Sequence, residues 1–335
     1  MRYTISFITA LVILWVLQSA LLPGRPIVVE ADDDALVQDV LHTLGEAQRG
    51  DNVARTVSGA SMELGASIVL QGIGDADRRQ SKHFVCTSCH NIVPEGPLDD
   101  PEARLSYAAE KGLPFLPGTT LYGAVNRETY YNDDYEKKYG DLVKPARRDL
   151  RAAIQLCATE CAQGRPLSEV EMESVVVYLQ NIGLRLKDLA LTEQDKQHLN
   201  AALNNQVNDA AVRDLLKSKF ATASPATFLI PPEDRRSGYG LQGNPNRGAL
   251  VYELACLHCH GEKRYSFYEL GKDPVFYRHL ERHFPRYTRY STYQVVRYGT
   301  SPIPGKKAYM PHYTQERMSN QQVEDLRAFL TDGAR

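Results

Sequence analysis

Cys86-Thr87-Ser88-Cys89-His90 returns 170 residues later as Cys256-Leu257-His258-Cys259-His260. C-x-x-C-H is the spacing by which a chain attaches haem c. The two thiols add across the porphyrin vinyl groups, and the spacing puts both sulfurs on one edge of the ring. The adjacent histidine then lies under the iron and supplies its proximal nitrogen. Cysteine and histidine also bind zinc, but the other two cysteines, Cys157 and Cys161, lack C-x-x-C spacing, so a split zinc site is the weaker reading. The motifs predict two covalently attached haem c groups, one on Cys86, Cys89 and His90, the other on Cys256, Cys259 and His260.

A length of 335 residues allows two domains or three small ones. A hydrophobic content of 43% permits real cores, and a net charge of -2 argues against nucleic-acid binding. Haem attachment by C-x-x-C-H implies assembly on the far side of a membrane, so the expected location is periplasmic or exoplasmic. The N-terminus agrees: after Arg2, Ile5 to Leu22 is apolar except for Ser6, Thr9, Gln18 and Ser19. As a helix this run would measure ~27 Å, just short of a bilayer core of ~30 Å. Two readings stay open for residues 1–31: a signal peptide cut after Val29-Glu30-Ala31, or a retained anchor formed by residues 5–22.

The pattern beyond is mainly α. Residues 32–56 read as an acidic spacer with a short helix near Ala35 to Leu44. A first haem domain is expected over 57–185. It begins with a helix from Ser58 to Gln71 closed by Gly72 and Gly74. After the proline-rich stretch beyond His90, a helix follows over Arg147 to Cys161. Ser168 and Glu171 then form a capping box for Glu169 to Asn181. Residues 186–243 read as a connector, helical at first and extended after Ala221. A second haem domain occupies 244–335, with Asn244 capping a helix that carries Pro245 in its first turn and Ser319 with Gln322 capping the terminal helix.

Iron needs a sixth ligand on each ring. Met310, followed by Pro311, stands between the second motif and the terminal helix, where a thioether would favour reduced iron. His258, His279, His283 and His312 are rivals, and methionines also serve as core filler. The first domain has no methionine between His90 and Met172, which sits within a helix. The corresponding stretch holds Cys157-Ala158-Thr159-Glu160-Cys161. Ligation by Cys157, ligation by Cys161 and a purely structural role are the alternatives. The metal-ligand set expected is His90, Cys157, His260 and Met310.

Helix, haem motif, loop, Met-Pro and terminal helix is the order of class I cytochromes, and the chain resembles the cytochrome c superfamily as two tandem domains. Ile154-Gln155-Leu156-Cys157, followed by Gln163-Gly164-Arg165-Pro166-Leu167, resembles the stretch bearing the axial cysteine in diheme thiosulfate dehydrogenases and related sulfur-oxidising cytochromes. That resemblance implies Cys157 as the ligand, a His/Cys haem at a substrate site and a His/Met haem passing electrons onward. Arg147, Arg148, Arg151 and Arg165 are then candidates to hold a sulfur oxyanion. The leading functional reading is an electron carrier, and the alternative is a thiosulfate dehydrogenase-like enzyme acting at Cys157. Residues 261–313 hold ten Lys or Arg against four Asp or Glu, a net of +6, which suits an acidic redox partner docking near the second domain.

Overall fold

The computed structural model describes residues 30–205, 209–303 and 306–334; the apolar run of residues 5–22 lies outside them. Helices α1 (Val37–Thr43), α2 (Met62–Gln71), α3 (Pro101–Lys111), α4 (Asp133–Tyr139), α5 (Leu150–Leu156) and α6 (Glu169–Asn181) form the first half. Helices α7 (Glu193–Asn205) and α8 (Ala210–Ser218) follow, then α9 (Pro245–Val251), α10 (Leu257–His260), α11 (Pro274–His283), α12 (Thr292–Tyr298) and α13 (Asn320–Gly333). The fold is mainly helical, and only isolated bridges such as Thr300 with Met310 pair extended backbone among the described residues. No helix among them is long and apolar enough to cross a membrane.

Local chemistry starts and stops the main helices. Ser61 Oγ accepts the Leu64 N–H at 3.1 Å to open α2, and Gly72 at φ 69° closes it in the left-handed region that glycine enters without strain. Both capping boxes form as their sequences predict, Ser168 with Glu171 on α6 and Ser319 with Gln322 on α13. The second connector helix is capped by Asp209, whose side chain accepts the Val212 N–H at 3.1 Å.

Three cores result. In the first, Ile68 and Val69 of α2 meet Val175, Tyr178 and Leu179 of α6, with Leu150 and Val125 beside them. In the second, Val251 and Tyr252 meet Val323, Leu326 and Leu330 of α13. That core also takes in Leu105, Ala108 and Phe115, from α3 and the strap after it, although these residues follow the first motif in sequence. The third joins the stretches read as spacer and connector: Val37, Val40 and Leu41 of α1 pack on Leu186, Leu189, Leu199 and Leu216.

The α2–α6 and α9–α13 crossings each depend on a glycine. A Cβ at Gly65 would overlap the Ser174 carbonyl oxygen, and one at Gly248 would overlap that of Asp325. Alanine at Gly248 gains roughly 1 kcal/mol of helix propensity, but the obstacle is backbone, and overpacking costs about 1–3 kcal/mol. Gly248→Ala is therefore expected to lower the melting temperature. A rise, as propensity alone dictates, would contradict this close crossing.

Candidate metal centres

The first motif leaves the extended residue Val85 and tightens into one 3-10 turn over Cys86–Ser88. The Val85 N–H donates to Ser88 Oγ at 3.0 Å, and the His90 N–H donates to Cys86 O at 3.1 Å. Against the His90 imidazole runs a strap in which Gly118 N–H donates to Cys89 O at 2.9 Å. A Cβ at Gly118 would stand 2.5 Å from His90 Cε1 and Nδ1, so only glycine lets the strap pass this close. The His90 Nδ1 lies 2.7 Å from Thr119 O, and that carbonyl can only accept. Nδ1 therefore carries the proton, and Nε2 is left with its lone pair free to bind metal.

The second motif repeats the device on different backbone. A π turn over Tyr252–Cys256 delivers Cys256, and α10 carries Cys259 and His260. His260 Nδ1 meets Tyr268 O at 2.9 Å, which again reserves Nε2. Burial pushes the pKa values of both histidines down. Burial also pushes the motif thiols up, Cys86 to about 11 and Cys256 and Cys259 to about 12. No three His, Cys, Asp or Glu side chains gather as a metal cage among the described residues. Paired thiols beside a histidine with a directed, free Nε2 fit haem c.

The two motifs touch. Cys259 Sγ lies 3.9 Å from the Ser88 carbonyl oxygen, and His258 stands beside the backbone of Thr87 and Ser88. Burial, with Arg264 nearby, holds His258 at about 4, so it is neutral.

Near the first motif, α5 runs into a π turn over Cys157–Cys161; such turns recur at functional sites. The turn ends at Gln163, a non-glycine at φ 53°. Cys157 lies within electrostatic reach of Cys86, Cys89 and Cys161. Tyr309, from the far half of the chain, stands close enough to sense Cys161. The neighbouring Cys157, then Tyr309, holds the Cys161 thiol down against burial, while Cys161 and burial push Cys157 up. Tyr131, Tyr135 and Tyr139 stand close enough to sense both sulfurs or Cys161.

Met310 is pinned in an extended loop: Thr300 N–H donates to its carbonyl at 2.9 Å, and its own N–H donates to Thr300 Oγ1 at 2.8 Å. Its side chain packs against the core of Val251, Tyr252 and Leu326, as do Cys256 and Leu257. The rival histidines are engaged elsewhere. His312 bonds Lys138 Nζ at 3.0 Å and the Tyr139 hydroxyl. His279 and His283 stack 4.4 Å apart, with His283 Nδ1 2.6 Å from His279 O. Met318 and Met172 are buried.

Three of the four candidate arginines are committed to structural pairs. Arg151 grips Glu173 and the carbonyls of Gly50, Asp51 and Val53. Arg165 pairs with Glu171, and Arg147 with Asp133 and Glu136. Sequence reasoning missed Tyr309, Gly118 and Thr119. The last two lie 28 and 29 residues beyond the motif they serve, with no local pattern to mark them.

Residues 243–330 match the family model described as cytochrome C oxidase, cbb3-type, subunit III. Comparison with curated proteins and with solved structures gave no match. The matched segment spans the second motif, Met310 and most of α13, so its similarity and the geometry around His260 meet on the same residues. Together they support a c-type cytochrome with covalently bound haem c and suggest electron transfer.

Proposed function

We propose that the chain is a diheme c-type cytochrome that passes electrons between partners on the exoplasmic, periplasmic side of a membrane. The observation that carries this reading is the contact of the two motifs, Cys259 Sγ against Ser88 O. Haems attached to two loops in contact would have a short path between them for an electron. Bound haem supplies the one-electron couple, and the chain supplies its binding, orientation and electrostatics. His90 and His260, oriented by Thr119 O and Tyr268 O, would hold the proximal positions. As ligands, Cys157 would donate thiolate charge to the first haem and lower its potential, whereas the Met310 thioether would raise that of the second.

Around the second centre, Lys263, Arg264, Lys272, Arg278, Arg282, Arg286 and Arg289 are exposed, and Phe267, Val275, Tyr287 and Tyr290 are exposed among them. Arg297 is fully buried and takes no part in that collar. A basic, partly aromatic face suits an acidic redox partner and speeds its encounter at low salt.

Met310→Ala tests the second centre. The expected result is a lower potential and loss of the thioether-to-iron charge-transfer band for one haem, with the other unchanged. An unaltered titration and band would remove Met310 from the ligand set. The thiosulfate dehydrogenase-like alternative draws on the position of Cys157 between two haem-attaching cysteines and a wall of tyrosines. Its oxyanion would need free cations, and Arg147, Arg151 and Arg165 are already paired. Sustained thiosulfate-dependent reduction of ferricyanide would establish that alternative.

A further inference from the structure

A cleft of about 780 Å³ opens between the strap at Thr120 and Tyr122 and the connector at Leu184 and Phe220. No residue of either haem motif lines it. Its volume lies within the ~300–1,000 Å³ of small-molecule sites. Pro94, Leu98, Leu184, Phe220 and Pro225 make much of its wall apolar. Arg127 also lines it and is only 6% exposed. The backbone there is fixed, because the Arg127 carbonyl accepts from Arg49 Nη1 and Asn52 Nδ2, each at 3.3 Å. Arg127 Nη2 donates to Thr120 O at 2.7 Å and Tyr122 O at 3.3 Å, both residues of the cleft wall. Among the described residues no acceptor meets its Nε or Nη1, and neither atom is sealed from solvent.

Arg127 also lacks a carboxylate of its own. Glu95, in the same wall, is gripped by both terminal nitrogens of Arg317. Asp188 accepts the Tyr122 hydroxyl at 2.6 Å and the Arg185 N–H at 2.8 Å. Lys219, also in the wall, pairs with Asp195 at 2.8 Å. Burial pulls the Arg127 pKa down to about 10, which leaves the group charged at neutral pH. A buried cation without a partner is costly, and an anion in the cleft would supply one. The apolar wall favours an anion with a hydrocarbon body over an inorganic oxyanion. Glu95, Asp99 and Asp188 line the same space and disfavour a second negative charge.

We propose that this cleft binds a small organic monocarboxylate, its carboxylate on the free N–H groups of Arg127 and its apolar body against Leu98, Leu184 and Phe220. The inference is independent of the number of haems and of their distal ligands.

The test is calorimetric titration of the full-length holoprotein with hexanoate, acetate, 1-hexanol and sulfate. Hexanoate is expected to bind at a single site per chain. Acetate lacks the apolar body and hexanol lacks the charge, so both should bind more weakly, and sulfate more weakly than hexanoate. Arg127→Gln should weaken hexanoate about tenfold or more, the worth of a hydrogen bond to a charged group. Arg127→Lys keeps the charge and should lose less. Leu98→Trp narrows the cleft, leaves the guanidinium in place and should also weaken hexanoate, with the haem spectra unchanged. It carries the test should Arg127→Gln fail to fold. Absence of hexanoate binding at millimolar concentration would overturn the proposal. So would sulfate binding as tightly as hexanoate, or hexanoate affinity that neither Arg127→Gln nor Leu98→Trp alters.

Discussion

Replacing Arg317 with methionine is expected to cost about 3–5 kcal/mol of stability, the range for breaking a buried ion pair from one side. Arg317 and Glu95 are 3% and 2% exposed, and they meet through two parallel bonds of 2.6 and 2.9 Å. The same guanidinium donates to Leu116 O at 3.0 and 3.1 Å and to Gly118 O at 2.6 Å. It therefore joins the second half of the chain to the strap beneath His90. Without it, Glu95 stays buried with only the Thr120 N–H and the Asn91 amide as donors. The first centre should feel the loss through Gly118 and Thr119, and the second should not.

The pair also sets an acid limit. Burial alone would raise the Glu95 carboxyl, but the charge and hydrogen bonds of Arg317 outweigh it and hold it at about 2. The unfolded value is 4.5. A carboxyl held lower in the folded state binds fewer protons there, so its contribution is complete above pH 4.5 and is lost as pH falls toward 2. Urea midpoints measured across that window should fall steeply for the native chain and less steeply for Glu95→Gln. Parallel slopes would show that other carboxyls govern the acid limb. Pairing Glu95→Gln with Arg317→Met should recover part of the loss, because no charge is then stranded.

Cys157→Met is expected to raise the potential of the first haem by a substantial part of the roughly 0.8 V that axial ligands span. A thiolate stabilises ferric iron by donating charge, and a thioether favours the ferrous state. The second haem should be unmoved, and the gap between the two couples should narrow. In a carrier, electron transfer would continue with an altered driving force. In an enzyme working through this thiolate, turnover would be lost. Two unchanged couples would exclude Cys157 from the iron.

What could be read from the sequence is what short stretches of chain determine. The pentapeptides single out His90 and His260 as candidates, and Ser168 with Glu171 and Ser319 with Gln322 announce their helices within one turn. Even so, α3 escaped notice. Asp100, Pro101 and Gly112 are its cap, first turn and left-handed stop, but the other prolines after His90 masked them as loop. Its packing was less legible still, because Leu105 and Ala108 are recruited by Val251 and Tyr252 from far along the chain. The same holds for α1, whose apolar side finds its partners in the connector. At the candidate centres, the Thr119 carbonyl, the Arg317 clamp and the Tyr309 hydroxyl all arrive by tertiary contact. Side chains brought together from distant segments leave no spacing to read.

The most direct measurement is the haem content per chain by pyridine haemochrome, taken with the EPR spectrum of the oxidised protein. The expected result is two haems that resist acid-acetone extraction and two low-spin ferric signals, one with thiolate character. One haem per chain, or haem that extracts freely, would contradict the diheme reading.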